Sequence, residues 1–221
     1  MRYYPIQLDI RNRPCLVVGG GGVGTRKVNS LLDCGARVTV VSPEAGPELH
    51  AAAEQDRITL RLREYESADL EGMFLVVGAT DDEELNRRIS TDAGTRRVLC
   101  NIADRPDKCT FILPAVIARG DLVVTVSTSG KSPALAKKLR RTLGLQFGEE
   151  YAVLLKLLGA VRTRLLAEAH APEEHKPLFE RIVESDILDC IRAGQWEEID
   201  RRLAEIFGEG FRSADLLREA G

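Results

Sequence analysis

The chain has no apolar run approaching the about 20 residues that a bilayer span requires. No apolar signal-peptide core follows Met1-Arg2-Tyr3-Tyr4-Pro5. A membrane partner is therefore not expected, and a cytoplasmic location is. There is no C-x-x-C pair. The five cysteines, at positions 15, 34, 100, 109 and 190, are odd in number and scattered, which speaks against a disulfide framework or a zinc site. Several fall in apolar strand patterns, where cysteine is usually a small buried hydrophobe. Positive charge is not in excess: the net charge is −3 and the sequence pI about 5.8, so the electrostatic footprint of nucleic-acid binding is missing. Internal repeats and low-complexity segments are absent. The three histidines are dispersed, and His170 and His175, beside Glu173 and Glu174, read as a solvated interhelical loop rather than a metal site.

What is present is an ordinary globular composition, with 44% apolar and 29% charged residues. The length of 221 residues fits one large domain, or one with a small appendage. Cys15–Val18 reads as a strand and runs directly into G-x-G-x-x-G, with Gly19, Gly21 and Gly24 at the glycine positions. A helix is expected over 25–34. That context gives the glycines specific work. The first makes a tight turn, the second admits backbone to a pyrophosphate, and the third lets helix pack on strand. The helix N-terminus then offers free N–H groups and a positive dipole end, so Gly22 and Val23 join the candidate dinucleotide site.

Further strands are expected over 37–41, 58–63, 74–78 and 98–102, with helices over 45–55 and 81–95 between them. This alternation predicts an α/β protein with a Rossmann-type, doubly wound parallel sheet. Residues 110–119 and 122–127 read as two strands joined by Arg119-Gly120-Asp121, a small antiparallel pair. From Ser132 the chain reads as helical, with helices over 151–169, 178–191 and 196–207. The expected division is a dinucleotide-binding domain over 1–112, a central antiparallel region over 113–147 and a helical domain over 148–221.

Loops at the carboxyl ends of the strands should face the ligand crevice. Ser42-Pro43-Glu44 follows the second strand, where a carboxylate can bind ribose hydroxyls, and no Lys or Arg lies just after it to receive a 2′-phosphate. That favours NAD over NADP; the alternative is that Ser42-Pro43 simply ends the strand. Thr80 and Asp81 follow the fourth strand, where Asp81 and Asp82 could equally cap a helix. Asp104 follows the fifth, as a candidate general base or a plain turn residue. Ser127-Thr128-Ser129-Gly130-Lys131-Ser132 precedes Pro133, a helix start rich in hydroxyls and N–H groups that favours an anion. From Lys131 to Arg141 lie Lys131, Lys137, Lys138, Arg140 and Arg141 and no acid, which suits an acidic small molecule or merely a solvated helix face.

Several segments together resemble the precorrin-2 dehydrogenase/sirohydrochlorin ferrochelatase module of the siroheme synthase family. They are Tyr4-Pro5-Ile6, the Val18–Gly24 loop with Arg26-Lys27, and Ala79-Thr80-Asp81-Asp82 with Asn86. Cys100-Asn101-Ile102-Ala103-Asp104, Phe111-Ile112-Leu113-Pro114-Ala115 and the run from Ser127 to Ala136 complete the set. The resemblance implies NAD-dependent oxidation of precorrin-2 to sirohydrochlorin, with Fe²⁺ insertion as a second step in bifunctional members. It also implies a homodimer built through the central region, which gives that region its dimerising role. Asp104 matches the family's catalytic aspartate, and Ser127 to Ser132 match a segment that binds substrate carboxylates. Thr128 aligns with a serine that is phosphorylated in some relatives. No thiol or histidine cluster is evident to hold Fe²⁺ independently of the macrocycle. A fused methyltransferase is not expected within the sequence, so precorrin-2 would come from another enzyme. Two rivals stand beside this reading: an NAD-binding redox-sensing regulator, and a dehydrogenase of small hydroxy acids. The second would normally bring a His or Lys base, yet no histidine lies between His50 and His170.

Overall fold

A computed structural model describes residues 2–167 and 172–219. It divides into two compact units, Met1–Leu113 and Pro114–Gly221.

The first unit is built on five parallel strands: β1 (Pro14–Gly20), β2 (Arg37–Ala45), β3 (Ile58–Leu62), β4 (Leu75–Gly78) and β5 (Leu99–Ile102). Their order is β3-β2-β1-β4-β5, so the chain reverses its direction of growth between β1 and β4. Alternation along each strand explains the layers. Cys15, Val17, Val38 and Val40 point to one face, where α1 (Gly22–Asp33) and α2 (Pro47–Glu54) bring Val28, Leu31 and Leu49. Leu16, Val18, Val41 and Val76 point to the other, covered by Ile89 and Ala93 of α3 (Glu83–Arg96) and by Leu70 of a short 3₁₀ turn. Both faces are covered, as the unbroken apolar strands require, and the doubly wound sheet expected from the sequence is what forms.

Three boundaries differ for identifiable reasons. α1 begins at Gly22, three residues early, because Gly21 serves as its N-cap and accepts both the Thr25 N–H at 2.9 Å and the Thr25 hydroxyl at 3.1 Å. β2 does not stop at Val41. It continues to Ala45, and its pairing with β1 shifts register between Val18 and Gly20; a register shift tolerates the missing N–H of Pro43. The expected strand over 110–119 starts only at Ala115. Thr110 and Phe111 instead spend their bonds on β5: the Thr110 N–H donates to Cys100 O at 2.9 Å, and Asn101 Nδ2 donates to Phe111 O at 3.1 Å.

The second unit opens with the antiparallel hairpin β6 (Ala115–Arg119) and β7 (Leu122–Val126), turning at Gly120 with a positive φ of 55°. α4 (Pro133–Gln146) follows, then α5 (Glu150–Ala167), α6 (Pro172–Glu184), α7 (Ile187–Ala193), α8 (Trp196–Phe207) and α9 (Ser213–Glu219). Leu154, Leu157, Val161 and Leu165 repeat at helical spacing along α5 and pack with Ile182, Ile187, Ile199, Leu203 and Leu216. The single helix expected over 178–191 is two. The Ser185 hydroxyl caps the break, donating to Ile182 O at 2.7 Å and accepting the Ile187 N–H at 3.2 Å. His175 is not in a solvated loop: it lies inside α6, buried, one turn before Phe179 and two before Ile182. His170 lies outside the described residues. No helix among the described residues is long and apolar enough to cross a membrane.

Candidate active site at the carboxyl edge of the sheet

Val18, Gly78 and Ile102 stand in register across β1, β4 and β5. The loops that follow them are therefore neighbours at one edge, at the point where strand order reverses. That is where ligands bind in open α/β sheets.

The glycine loop is held from three sides. Gly19 has φ of 116°, and a Cβ there would lie 2.3 Å from Ala79 O. At Gly20 it would meet Glu44 O at 2.2 Å, and at Gly24 it would meet Gly19 O at 2.0 Å. Side chains are thus excluded at all three positions by packed backbone. Gly21 is different, because a Cβ there meets nothing within 4 Å. Gly22 and Val23 are exposed beside it, and no side chain caps the first turn of α1. An open cradle with uncapped helix N–H groups fits a dinucleotide diphosphate.

Ser42 is buried, and its hydroxyl accepts the Gly20 N–H at 3.0 Å, so it braces the loop from below. Gly46 N–H donates to Gly20 O at 3.1 Å and closes the same corner. Pro43 and Glu44 are exposed at the end of β2. On neighbouring β3 Arg61, and just past its end Arg63, are both engaged by Asp69, at 2.8 and 2.5 Å. Burial pushes the Asp69 carboxyl up, but hydrogen bonds from Arg63, from the Glu66 N–H and from Arg61 outweigh it and hold the group below its ordinary value.

After β4, Asp82 caps α3 by accepting the Glu84 and Leu85 N–H groups at 2.9 and 3.0 Å. The Thr80 hydroxyl accepts the Asp82 N–H, and Asn86 donates to Thr80 O at 2.8 Å, so Thr80 and Asp81 are presented on a braced loop. After β5, Asp104 is exposed and sits in the left-handed region at φ of 58°. Lys27 of α1 is half-buried close by: burial pulls its ammonium down, and the Asp104 carboxylate pulls it back up. The glycine loop, Thr80, Asp81 and Asp104 are thereby gathered on one edge.

Sequence reasoning missed two members of this group. Lys27 carried only a resemblance, although its spacing of three residues from Gly24 was a usable signal. Cys109 reads from the sequence only as one of five scattered free thiols, yet its sulfur accepts the Ile102 N–H at 3.1 Å.

The candidate substrate loop belongs to the second unit. Thr128 is half-buried, its hydroxyl accepting the Ser132 N–H at 3.2 Å and donating to Ser132 O at 3.1 Å. The Ser127 hydroxyl accepts the Ser129 N–H, and Ser132 caps α4 through the Leu135 N–H. Ser129 and Gly130 adopt positive φ, of 53° and 80°. Lys131, Lys137, Lys138, Arg140 and Arg141 are all exposed.

The fold and the glycine cradle define a dinucleotide-binding protein of Rossmann type. A family model described as NAD(P)-binding matches residues 6–115, and one described as sirohaem biosynthesis protein central matches residues 119–144. Siroheme synthases are homologues of the chain over nearly its whole length. It is 37% identical to the siroheme synthase of Methylococcus capsulatus over 205 residues, 93% of this chain and 43% of that protein. It is 39% identical to siroheme synthase 1 of Aeromonas salmonicida over 224 residues, 100% of this chain and 48% of that protein. The chain thus spans under half the length of these relatives. Among solved structures, "SirC, precorrin-2 dehydrogenase" shares the fold with a TM-score of 0.73 and 24% identity, over 99% of this chain and 98% of that one.

Proposed function

We propose that the chain is an NAD-dependent precorrin-2 dehydrogenase that forms sirohydrochlorin, and that it also accepts Fe²⁺ as a substrate to give siroheme. The observation that carries this reading is the placement of Asp104 on the same sheet edge as the open Gly21 cradle. The family's chemistry needs both together. NAD, when bound, supplies the hydride acceptor. The chain's own residues do the rest. Gly21, Gly22 and Val23 hold the diphosphate, with Thr80 and Asp81 beside them. Ser42 and Pro43 shape the loop end, and Glu44 takes the ribose hydroxyls. NAD is preferred because Glu44 is exposed at the end of β2, while Arg61 and Arg63 are spent on Asp69.

Asp104 acts as the general base that receives the proton released on oxidation. Metal insertion displaces pyrrole N–H protons, and the same carboxylate receives them. Ser127, Thr128, Ser129, Gly130, Lys131 and Ser132 bind the carboxylates of the tetrapyrrole, with the basic residues of α4 attracting them. The protein works in the cytoplasm as a homodimer. Residues 1–112 form the dinucleotide domain, 113–147 the dimerising region and 148–221 the helical domain. The dimer is supported by the hairpin, whose exposed face carries Val116, Ala118, Val123 and Thr125 and whose edges have no neighbouring strand among the described residues.

The test is anaerobic incubation with precorrin-2 and NAD, followed by Fe²⁺, recorded by absorbance. The expected result is the sirohydrochlorin spectrum with stoichiometric NADH, then that of siroheme. No NADH at any substrate concentration would contradict the reading.

A further inference from the structure

We infer that Cys109 is a positioning residue for Asp104, an inference that rests on the reading of Asp104 as the general base. Asp104 holds a left-handed backbone conformation, which costs an aspartate more than a glycine although less than most other side chains, so contacts around the turn decide how firmly it is kept. One sulfur makes several of the contacts that hold it there. Cys109 Sγ accepts the Ile102 N–H at 3.1 Å, and lies 3.3 Å from Ile102 O and 3.1 Å from Arg105 O, to either of which its S–H can donate. Asn101 Nδ2 adds a longer contact at 3.7 Å. The thiol therefore ties together residues on both sides of Asp104.

The tie is firmly based. Thr110, next in sequence, exchanges bonds with Cys100: its hydroxyl accepts the Cys100 N–H at 2.8 Å and its N–H donates to Cys100 O at 2.9 Å. On the far side of the turn, the Ala103 N–H donates to Gly78 O at 2.9 Å, and Arg105 pairs with Glu83 at 2.8 Å. Burial keeps the thiol protonated, so it retains a proton to donate. Without the sulfur, Ile102 N–H loses its acceptor, and the turn is left with the long 3.3 Å bond from the Arg105 N–H to Ile102 O as its own link across Asp104.

The experiment is a double-mutant cycle on the full chain. It reads kcat for NADH formation from precorrin-2 and, separately, NAD affinity. Cys109→Ala should lower kcat about 10- to 100-fold, the scale of a misplaced catalytic group, with KM and NAD affinity unchanged. Cys109→Val keeps the volume, removes the hydrogen bonds and carries the same expectation should the alanine variant not fold. Cys109→Ser, whose hydroxyl can accept and donate, should recover most of the rate. Added to Asp104→Asn, Cys109→Ala should cost nothing more, because its effect runs through the carboxylate. An equal loss in both backgrounds, or no loss in an active background, overturns the inference while leaving the role of Asp104 intact. Full activity of Asp104→Asn itself overturns both, and so separates the two failures.

Discussion

The Ser42 hydroxyl accepts the backbone N–H of Gly20 at 3.0 Å, in a buried contact between the end of β2 and the glycine loop of β1. A residue that reads from the sequence as part of the cofactor site, or as a plain strand end, is a brace for the loop itself. Ser42→Ala leaves the Gly20 N–H buried without an acceptor, which costs about 1–3 kcal/mol. Urea unfolding should show that loss of stability, and calorimetry should show weaker NAD binding. A fully stable variant with unaltered NAD affinity would make the bond incidental.

Gly21 and Gly24 should separate binding from folding. A Cβ at Gly24 would come within 2.0 Å of Gly19 O, so Gly24→Ala must push helix from strand and destabilise by about 1–3 kcal/mol. Gly21 faces open space, so Gly21→Asp should melt normally yet bind no NAD, its carboxylate filling the cradle and repelling the diphosphate. Paired melting curves and calorimetric titrations check both. Retained NAD affinity in Gly21→Asp would remove the cradle from the account.

Asp69 links acid stability to Arg61 of β3 and to Arg63 just after it. Its side chain is 2% exposed and its folded pKa lies below the ordinary carboxylate value. A depressed pKa means that the carboxylate stabilises the fold fully above the unfolded value of about 3.9, and that this contribution disappears as pH falls through the folded value. Asp69→Asn should cost about 2–4 kcal/mol at pH 7 and flatten the acid limb of stability against pH. Identical acid limbs in variant and wild type would contradict the assignment.

The basic face of α4 is testable by charge. Reversing two of Lys137, Lys138, Arg140 and Arg141, all exposed, should raise KM for precorrin-2 with little change in kcat. It should also weaken the dependence of KM on salt. A KM indifferent to both would make these residues a solvated helix face.

The parallel sheet was legible because alternating apolar runs, glycines and capping residues all point the same way. Val17 and Val18 pack on opposite faces just as strand alternation requires. The end of β2 was not legible, since Pro43 reads as a stop and only the register shift opposite Gly20 permits it. Nor was the break at Ser185, where one hydroxyl makes two bonds inside a helical pattern. Asp104 could be picked from the end of a strand. Cys109 could not, because one cysteine in a loop carries no periodicity, and its value depends on where the chain returns to β5.

The most direct measurement compares Asp104→Asn with the unaltered chain in two separate assays, precorrin-2 with NAD and sirohydrochlorin with Fe²⁺. Asparagine keeps the shape of the side chain and removes its basicity. A positioned general base contributes ~10²–10⁴-fold, so both rates should fall by that order while NAD affinity stays within about twofold. Retention of both rates would reduce Asp104 to a turn residue and contradict the mechanism.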